Sequence, residues 1–282
     1  MLSEAPEQVA EMLRQKSMEA RLLLINTLHE SGGGHYGGCL SELDILAVLY
    51  NGILNIRPDD PEWEGRDHFI LSKGHGAIGL ASVLALRGFF PREVLKTSKK
   101  LDSCVGWHTT IKMPGIEHPT GSLGHGLSVA VGLAVAKKLD KKQSRVFVLL
   151  GDGECDEGSV WEGAMAASKY RLDNLVAIVD RNGISYDSRT EEVMPLEPFA
   201  DKWKAFGWAV RSADGHSVGD LWNAFSAVPF EAGKPSVVIA STIKGKGVSF
   251  MENSVAWHAG PTTDEQYRTA IKELQKRAEV AR

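Results

Sequence analysis

The sequence predicts an α/β fold in which a parallel β-sheet carries helices on both faces. Three near-continuous apolar runs support this prediction: VFVLL at 146–150, LVAIV at 175–179 and SVVIAST at 236–242. Strands of a parallel sheet are buried on both faces, so they read as uninterrupted aliphatic runs rather than as alternating ones. A helical pattern lies between the first two runs, as in a βαβ unit.

The remaining elements follow from local patterns. HFIL at 68–71 reads as a short buried strand that leads into a glycine loop. Apolar residues at three- and four-residue spacing, or runs of small residues, predict helices at 6–30, 41–54, 123–139, 158–170 and about 262–280. Ser41 with Asp44 resembles a helix N-cap with an acidic third position, and Thr262 with Glu265 resembles a capping box.

Length, charge and cysteine count exclude several classes of protein. The chain has 282 residues and a formal net charge of -4, without the basic stripe that nucleic acid requires. No apolar run reaches the roughly 20 residues of a membrane span, and the first residues do not resemble a signal peptide, so we expect a cytoplasmic protein. Three distant cysteines indicate neither a disulfide framework nor a zinc site. We expect one domain over residues 1–282.

The segment GDGECDEG follows the apolar run 146–150 and places Asp152 at a strand end. Asn182 follows the next apolar run about thirty residues later, which is the length of one βαβ unit. A right-handed crossover brings the carboxyl ends of both strands to the same edge of the sheet. Their side-chain oxygens suit Mg²⁺ or Ca²⁺, and a helix N-terminus near 157–158 points to the same place. These features together predict a metal-bound diphosphate.

Two other interpretations of this loop compete with the metal site. A dinucleotide-binding loop is disfavoured, because GDGECDEG does not match GxGxxG: Asp156 occupies the place of the third glycine, and Asp152 would repel a bare pyrophosphate. A tight strand-to-helix turn with Asp152 as the cap explains GDG alone equally well. The matching Asn182 after the next strand favours the metal site.

GDG followed by about thirty residues and an asparagine resembles the thiamine diphosphate signature. The segments LSKGHG, TGSLGHGLSVAVGLA and KGKGVSFMENSVAWHAGP extend the resemblance, to the amino-terminal part of transketolases, over residues 15–265. The resemblance implies a thiamine diphosphate-binding domain of the PP type. It implies that Asp152, Asn182 and the backbone carbonyl of Ile184 hold the metal. The implied cofactor-binding residues are His75, Gly121, Ser122, Leu123, Gly151, Gly153, Glu157, Asn182 and His258.

The resemblance also implies a transferase that moves a two-carbon glycolaldehyde unit from a ketose to an aldose, as in pentose phosphate metabolism. His35 and His258 would flank the substrate carbonyl, His75 would lie beside the diphosphate and the reacting carbon, and His108 would meet the donor. Imidazoles suit the proton transfers at sugar oxygens that such a reaction requires. Glu157 and Glu162 would lie near a dimer axis, although acidic residues near a helix start are also stabilised by the helix dipole.

Full-length transketolases continue into a pyrimidine-binding domain and a carboxy-terminal domain, for which this sequence offers no candidate. We therefore expect a second subunit that carries these domains, in an α₂β₂ assembly acting on ketose and aldose sugars, which we expect to be phosphorylated. Two alternatives remain open at this point: a non-catalytic regulatory module that binds thiamine diphosphate, and a related synthase with another donor.

The sequence departs from the family pattern around one pocket. Tyr36 follows the first histidine where proline is usual, and GWHTT replaces the usual GHP. Either His108 has shifted by one residue or Trp107 has taken the place of the histidine. His125 stands where glutamine is common. Changes that cluster around one pocket indicate an unusual donor, such as a branched or modified ketose.

Overall fold

A computed structural model describes residues 6–280. This part of the chain contains a five-stranded sheet. The strands are β1 (His68–Leu71), β2 (Val146–Gly151), β3 (Leu175–Arg181), β4 (Ala209–Asp214) and β5 (Ser236–Ser241). All neighbouring strands run parallel, in the order β1-β2-β3-β5-β4. The predicted parallel sheet is confirmed.

Helices cover both faces of the sheet. They are α1 (Glu7–Glu30), α2 (Tyr36–Val48), α3 (Ala77–Arg87), α4 (Gly126–Leu139), α5 (Gly158–Lys169), α6 (Thr190–Val193), α7 (Phe199–Ala205), α8 (Val218–Ser226) and α9 (Asp264–Val280). No helix within residues 6–280 combines the length and the apolarity that a bilayer crossing requires.

Two apolar layers arise because successive side chains of a strand point to opposite faces. In β2, Phe147 and Leu149 belong to the apolar layer built with α1, α2, α3, α8 and α9, whereas Val148 and Leu150 belong to the layer built with α4, α5 and α7. All four side chains are fully buried. Each contributes about 1.5–3 kcal/mol by leaving water, so this interior strand stabilises both layers.

The predicted cap of the second helix is wrong. Helix α2 begins at Tyr36, and both Ser41 and Asp44 lie inside it. The Ser41 hydroxyl donates to Asp180 Oδ2 at 2.6 Å, and the Asp44 carboxylate pairs with Arg21. Ser41 and Asp44 have the spacing of a cap, but both side chains bind buried partners on other elements. Such tertiary contacts override a local preference.

The cap of the last helix is displaced by one residue from the prediction. Thr263 Oγ1 accepts the N–H of Gln266 at 3.2 Å, and Gln266 Oε1 accepts the N–H of Thr263 at 2.9 Å. This is a reciprocal capping box. The Thr262 hydroxyl instead lies 2.9 Å from His29 Nδ1 and 3.1 Å from the Tyr36 hydroxyl. Thr262 therefore fastens the chain to α1 and α2.

Candidate active site

The predicted metal residues lie at the ends of two adjacent strands. Gly151 of β2 pairs with Asp180 of β3, so Asp152 and Asn182 follow at the same edge of the sheet. Asp152 Oδ2 accepts the N–H of Gly183 at 2.6 Å. Asn182 Oδ1 accepts the N–H of Ile184 at 3.1 Å. The Asp152 side chain thus reaches across to the loop that holds Asn182 and Ile184.

The donor set of this edge fits a divalent cation. Asp152 is 2% exposed, and burial, followed by the charge of Asp180, raises its pKa to about 6. A nearby cation stabilises such a carboxylate, and Arg181 Nη1 already lies 3.2 Å from Asp152 Oδ2. Carboxylate, amide and backbone carbonyl oxygens are the ligands that Mg²⁺ and Ca²⁺ prefer. No cluster of three His, Cys, Asp or Glu residues suited to a metal occurs within residues 6–280, and the predicted set includes only one such residue.

Lys244 connects the strand ends to the histidines, and the sequence analysis missed it. Its buried ammonium donates to the carbonyls of Ile184 at 3.0 Å and Ser185 at 2.8 Å, and to His258 Nδ1 at 2.9 Å. A carbonyl oxygen has two lone pairs, so the contact with Ile184 leaves one for a metal ion. Burial, followed by the charge of Lys73, lowers the pKa of Lys244 to about 8.

A fully buried network lies next to the strand ends. The Lys73 ammonium donates to Asp180 Oδ2 at 2.6 Å and to the Gly38 carbonyl at 2.7 Å, and pairs with Glu42 Oε2 at 3.1 Å. Asp180 also accepts the Ser41 hydroxyl, and its pKa is lowered because Lys73 and these hydrogen bonds outweigh its burial. Burial raises the pKa of Glu42 to about 8, with the charge of Asp180 adding to the effect. The Lys73 ammonium is therefore enclosed by two buried carboxyl groups, those of Asp180 and Glu42, beside the strand ends.

Three predicted catalytic histidines form one cluster. The ring centroids of His35 and His75 lie 5.3 Å apart, those of His35 and His258 5.5 Å, and those of His75 and His258 5.7 Å. Gly34 and Gly260 form an antiparallel bridge with backbone hydrogen bonds of 2.9 and 3.0 Å, which brings His35 and His258 together across more than 200 residues. His75 enters from the turn that follows β1.

The imidazoles of this cluster are neutral near pH 7. Burial, followed by neighbouring cations, lowers the pKa of His35 to about 4, that of His258 to about 3, and that of His75 well below its usual value. The Lys244 ammonium can only donate, so Nδ1 of His258 accepts and its proton resides on Nε2. A neutral imidazole can donate through one nitrogen and accept through the other.

The predicted glycine turn at 121–123 lies exposed or half-exposed before α4. A Cβ placed on Gly121 would lie 3.9 Å from the His108 ring, so this turn adjoins the histidines. Glu157, which is exposed, lies against Gly124, because a Cβ on that glycine would be 2.7 Å from Glu157 Cβ. A Cβ placed on Gly153 would lie 3.5 Å from Ser185 Cβ, so this glycine lies against the loop that follows β3.

One buried carboxylate ties the loops of this edge together, and the sequence analysis missed it as well. Glu154 is 2% exposed and accepts the N–H of Gly124 at 2.8 Å, the N–H of Gly151 at 3.0 Å and the hydroxyl of Ser72. These three partners come from the ends of β1 and β2 and from the turn before α4. Glu154 therefore positions the predicted cofactor loops relative to one another.

Aromatic and cationic residues line the mouth of the cluster. Both residues of the ambiguous GWHTT segment face His35: the Trp107 ring lies 6.2 Å from it and the His108 ring 6.4 Å. Lys99 Nζ lies 3.8 Å from the centroid of Trp107, and the ring of Tyr186 lies 4.7 Å from that of His258. Lys99 and Tyr186 are loop residues without a periodic pattern, so only the fold reveals them.

Comparison with known proteins agrees with this geometry. Residues 13–278 match the family described as transketolase, thiamine diphosphate binding domain. The chain is 45% identical to one of the subunits of the apulose-4-phosphate transketolase of Phocaeicola vulgatus, over 95% of this chain and 96% of that one. It is 42% identical to the SqwG subunit of the 6-deoxy-6-sulfo-D-fructose transketolase of a Clostridium species, over 94% and 96%. The crystal structure of Campylobacter jejuni transketolase superposes with a TM-score of 0.88 at 30% identity, covering 98% of this chain and 43% of that one.

The fold and the site define a thiamine diphosphate-binding domain. The chain belongs to the transketolase family, and it corresponds over nearly its whole length to proteins named as single subunits of transketolases. Two predictions are confirmed: the chain is one of the subunits of a transketolase, and its cofactor is thiamine diphosphate.

Proposed function

We propose that this chain is the diphosphate-binding subunit of a transketolase that moves a two-carbon glycolaldehyde unit from a modified ketose to an aldose. One observation carries the proposal: Lys244 joins His258 of the histidine cluster directly to the Ile184 carbonyl of the strand-end loop. A site that only bound a diphosphate would need the strand ends but no cluster of neutral imidazoles.

Thiamine diphosphate, when bound, supplies the carbon nucleophile of this reaction. Asp152, Asn182 and the Ile184 carbonyl would hold Mg²⁺, or Ca²⁺ in its place, against the diphosphate. The turn at 121–123, Gly151, Gly153 and Glu157 would border the cofactor. Glu154 keeps these loops in register through its three hydrogen bonds.

The imidazoles hold and move protons at the sugar oxygens. His258 presents its Nε2–H as a donor, because Lys244 occupies Nδ1. His35, neutral at pH 7, can take a proton from a donor hydroxyl, and its neighbour His108 borders the same space. His75 packs beside the other two rings, close enough to Lys73 for that charge to lower its pKa, and would face the diphosphate and the reacting carbon.

The donor is an anionic, modified ketose. The two relatives described above are named for apulose 4-phosphate and for 6-deoxy-6-sulfo-D-fructose, both of which are anionic sugars. The Lys99 ammonium over the Trp107 ring offers a cation at the mouth of the cluster, and Tyr186 narrows it from the other side. The pentose phosphate ketoses are also anionic and are the alternative donors.

Activity requires a second subunit that carries the pyrimidine-binding and carboxy-terminal domains, in an α₂β₂ assembly in the cytoplasm. The naming of both relatives as subunits supports a second chain. Such a partner would also supply contacts to the acceptor.

The test combines the purified chain with its partner, thiamine diphosphate, Mg²⁺ and an aldose phosphate as acceptor. Chromatography measures the ketose formed on the acceptor and the shortened carbonyl product released from each donor. We expect turnover of apulose 4-phosphate or 6-deoxy-6-sulfofructose by the complex, and none by either chain in isolation. His258→Asn should abolish it, whereas Glu265→Gln, in the exposed first turn of α9, should retain it. Turnover by the lone chain, or a preference for xylulose 5-phosphate over both modified sugars, would contradict the proposal.

A further inference from the structure

A second cleft lies on the face of the sheet that α1, α2, α8 and α9 cover. Its volume is about 320 Å³, within the range of small-molecule sites. Its apolar walls come from Met18, Leu22 and Val218, and from Ala278 near the end of α9. None of the residues assigned above to the cofactor, the metal or the sugar lines it.

The floor of the cleft is a rigid, buried ion network. Arg21 is 4% exposed, and its guanidinium pairs with both oxygens of Asp44, at 3.0 and 2.6 Å. Asp44 Oδ2 also accepts His216 Nδ1–H at 2.7 Å, while His216 Nε2 accepts the N–H of Ile243 at 2.8 Å. The negative charge of Asp44 is therefore fully matched, and the floor is fixed before any ligand arrives.

The rest of the lining carries an excess of positive charge. Glu19 and Arg14 also line the cleft, but each has a partner of its own: Lys16 lies 3.1 Å from the Glu19 carboxylate, and Glu7 lies 2.8 Å from the Arg14 guanidinium. Lys246 is half-buried and pairs with no carboxylate within residues 6–280. The nearest carboxylate oxygen to Arg277 within the described residues, that of Glu252, is 4.0 Å away. A half-buried ammonium without a carboxylate partner among residues 6–280 and a guanidinium with one distant partner thus lie at the same cleft.

We propose that this cleft binds a small organic anion whose phosphate or carboxylate head meets Lys246 and Arg277 and whose apolar body packs on Leu22 and Val218. A half-buried lysine without a partner has lost part of its hydration, and an anion restores the missing interaction. The preformed floor lowers the cost of binding, because little has to be ordered.

The test is a titration of the full chain with phenyl phosphate, followed by methyl NMR. Phenyl phosphate has a charged head and an apolar body of the required size. We expect saturable shifts at the methyl groups of Leu22 and Val218. Ile184 and Leu123 report separately on any phosphate that enters the candidate active site.

Lys246→Gln and Arg277→Gln should each weaken the binding at Leu22 and Val218 about fivefold, as expected for the loss of one partly exposed ion pair. Lys272→Gln removes the same charge from the exposed side of α9 and should leave the affinity unchanged. Two results would overturn the proposal. One is the absence of saturable shifts at Leu22 and Val218 up to about 20 mM, a concentration well above the Kd of even weak ligands. The other is equal affinity in the wild type and both cleft variants.

Discussion

At the scale of single residues, the neutral histidines make the stability of the fold depend on pH. His35 takes a proton near pH 6.5 in the unfolded chain and near pH 4 in the folded chain. Between these values the unfolded state binds the additional proton, so the contribution of His35 to stability is lost as the pH falls. We expect the stability advantage of the wild type over His35→Gln to shrink between pH 6.5 and pH 4.

Urea denaturation of both proteins at several pH values within this window measures that difference. Other groups titrate in the same range, and subtracting the two curves removes their contributions. Trp107→Phe changes a neighbour of His35 that does not titrate, so its difference from the wild type should stay constant with pH. A constant difference for His35→Gln as well would refute the expectation.

The buried Glu42 depends on two glycines for its space. A Cβ on Gly76 would lie 2.5 Å from both carboxyl oxygens of Glu42, and a Cβ on Gly79 would lie 2.7 Å from one of them. Gly76→Ala should therefore destabilise the fold by about 1–3 kcal/mol through overpacking. In a Glu42→Ala background, Gly76→Ala should cost much less, because the atoms that a Cβ on Gly76 would meet are gone.

A double-mutant cycle from thermal or urea unfolding gives the coupling between Glu42 and Gly76, which we expect to be about 1–3 kcal/mol. Gly132→Ala is the matched control, since nothing lies within 4 Å of a Cβ at that helical position. It should leave stability unchanged or raise it by up to about 1 kcal/mol. Additive effects of Glu42→Ala and Gly76→Ala would mean that Glu42 can move aside.

At the scale of elements, Glu154 holds three loop ends in one arrangement. Glu154→Gln keeps the shape but turns an amide NH₂ toward the backbone N–H groups of Gly124 or Gly151. A buried donor without an acceptor costs about 1–3 kcal/mol, so we expect a loss of that size in the free energy of unfolding. We also expect weaker binding of thiamine diphosphate to the two-subunit complex.

Calorimetric titration with the cofactor and urea unfolding give the two quantities. Glu265→Gln, in the exposed first turn of α9, is the control and should change neither. If Glu154→Gln lost stability but bound the cofactor normally, the carboxylate would support the fold without positioning the loops.

The elements that the sequence predicted correctly are those whose pattern is set by burial. Strands β2, β3 and β5 are continuous apolar runs and were placed within two residues. Strand β4 was missed because it lies at an edge of the sheet and mixes buried, half-buried and exposed residues in AVRSAD. The predicted helix starts at Ser41 and Thr262 were wrong, because each of these side chains could cap a helix but binds a distant element instead.

The residues of the candidate site also fall into those that the sequence predicts and those that only the structure reveals. Asp152, Asn182 and the histidines carry sequence motifs, and their convergence follows from the topology of a parallel sheet. Lys73 and Lys244 also follow strands in LSKGHG and STIKGKG, so a search for charged residues after every strand would have found them. Glu42 lies within a helix and Glu154 within the GDGECDEG turn beside Asp152, and only the packing of other elements around them reveals their burial.

At the scale of the whole molecule, the candidate site joins segments from residue 35 to residue 258, so its ligands should stabilise the entire fold. A ligand that binds only the folded state at 100 times its Kd adds about 2.7 kcal/mol to the free energy of unfolding. We expect thiamine diphosphate with Mg²⁺ to raise the melting temperature of the two-subunit complex, and EDTA to reverse the rise.

Asp152→Asn should abolish the rise, because a neutral amide replaces the one carboxylate proposed to hold the metal. Asp156→Asn, at an exposed position of the same loop, should retain it. A full rise in Asp152→Asn would show that the cofactor is held without this carboxylate, and the proposed metal site would then be wrong.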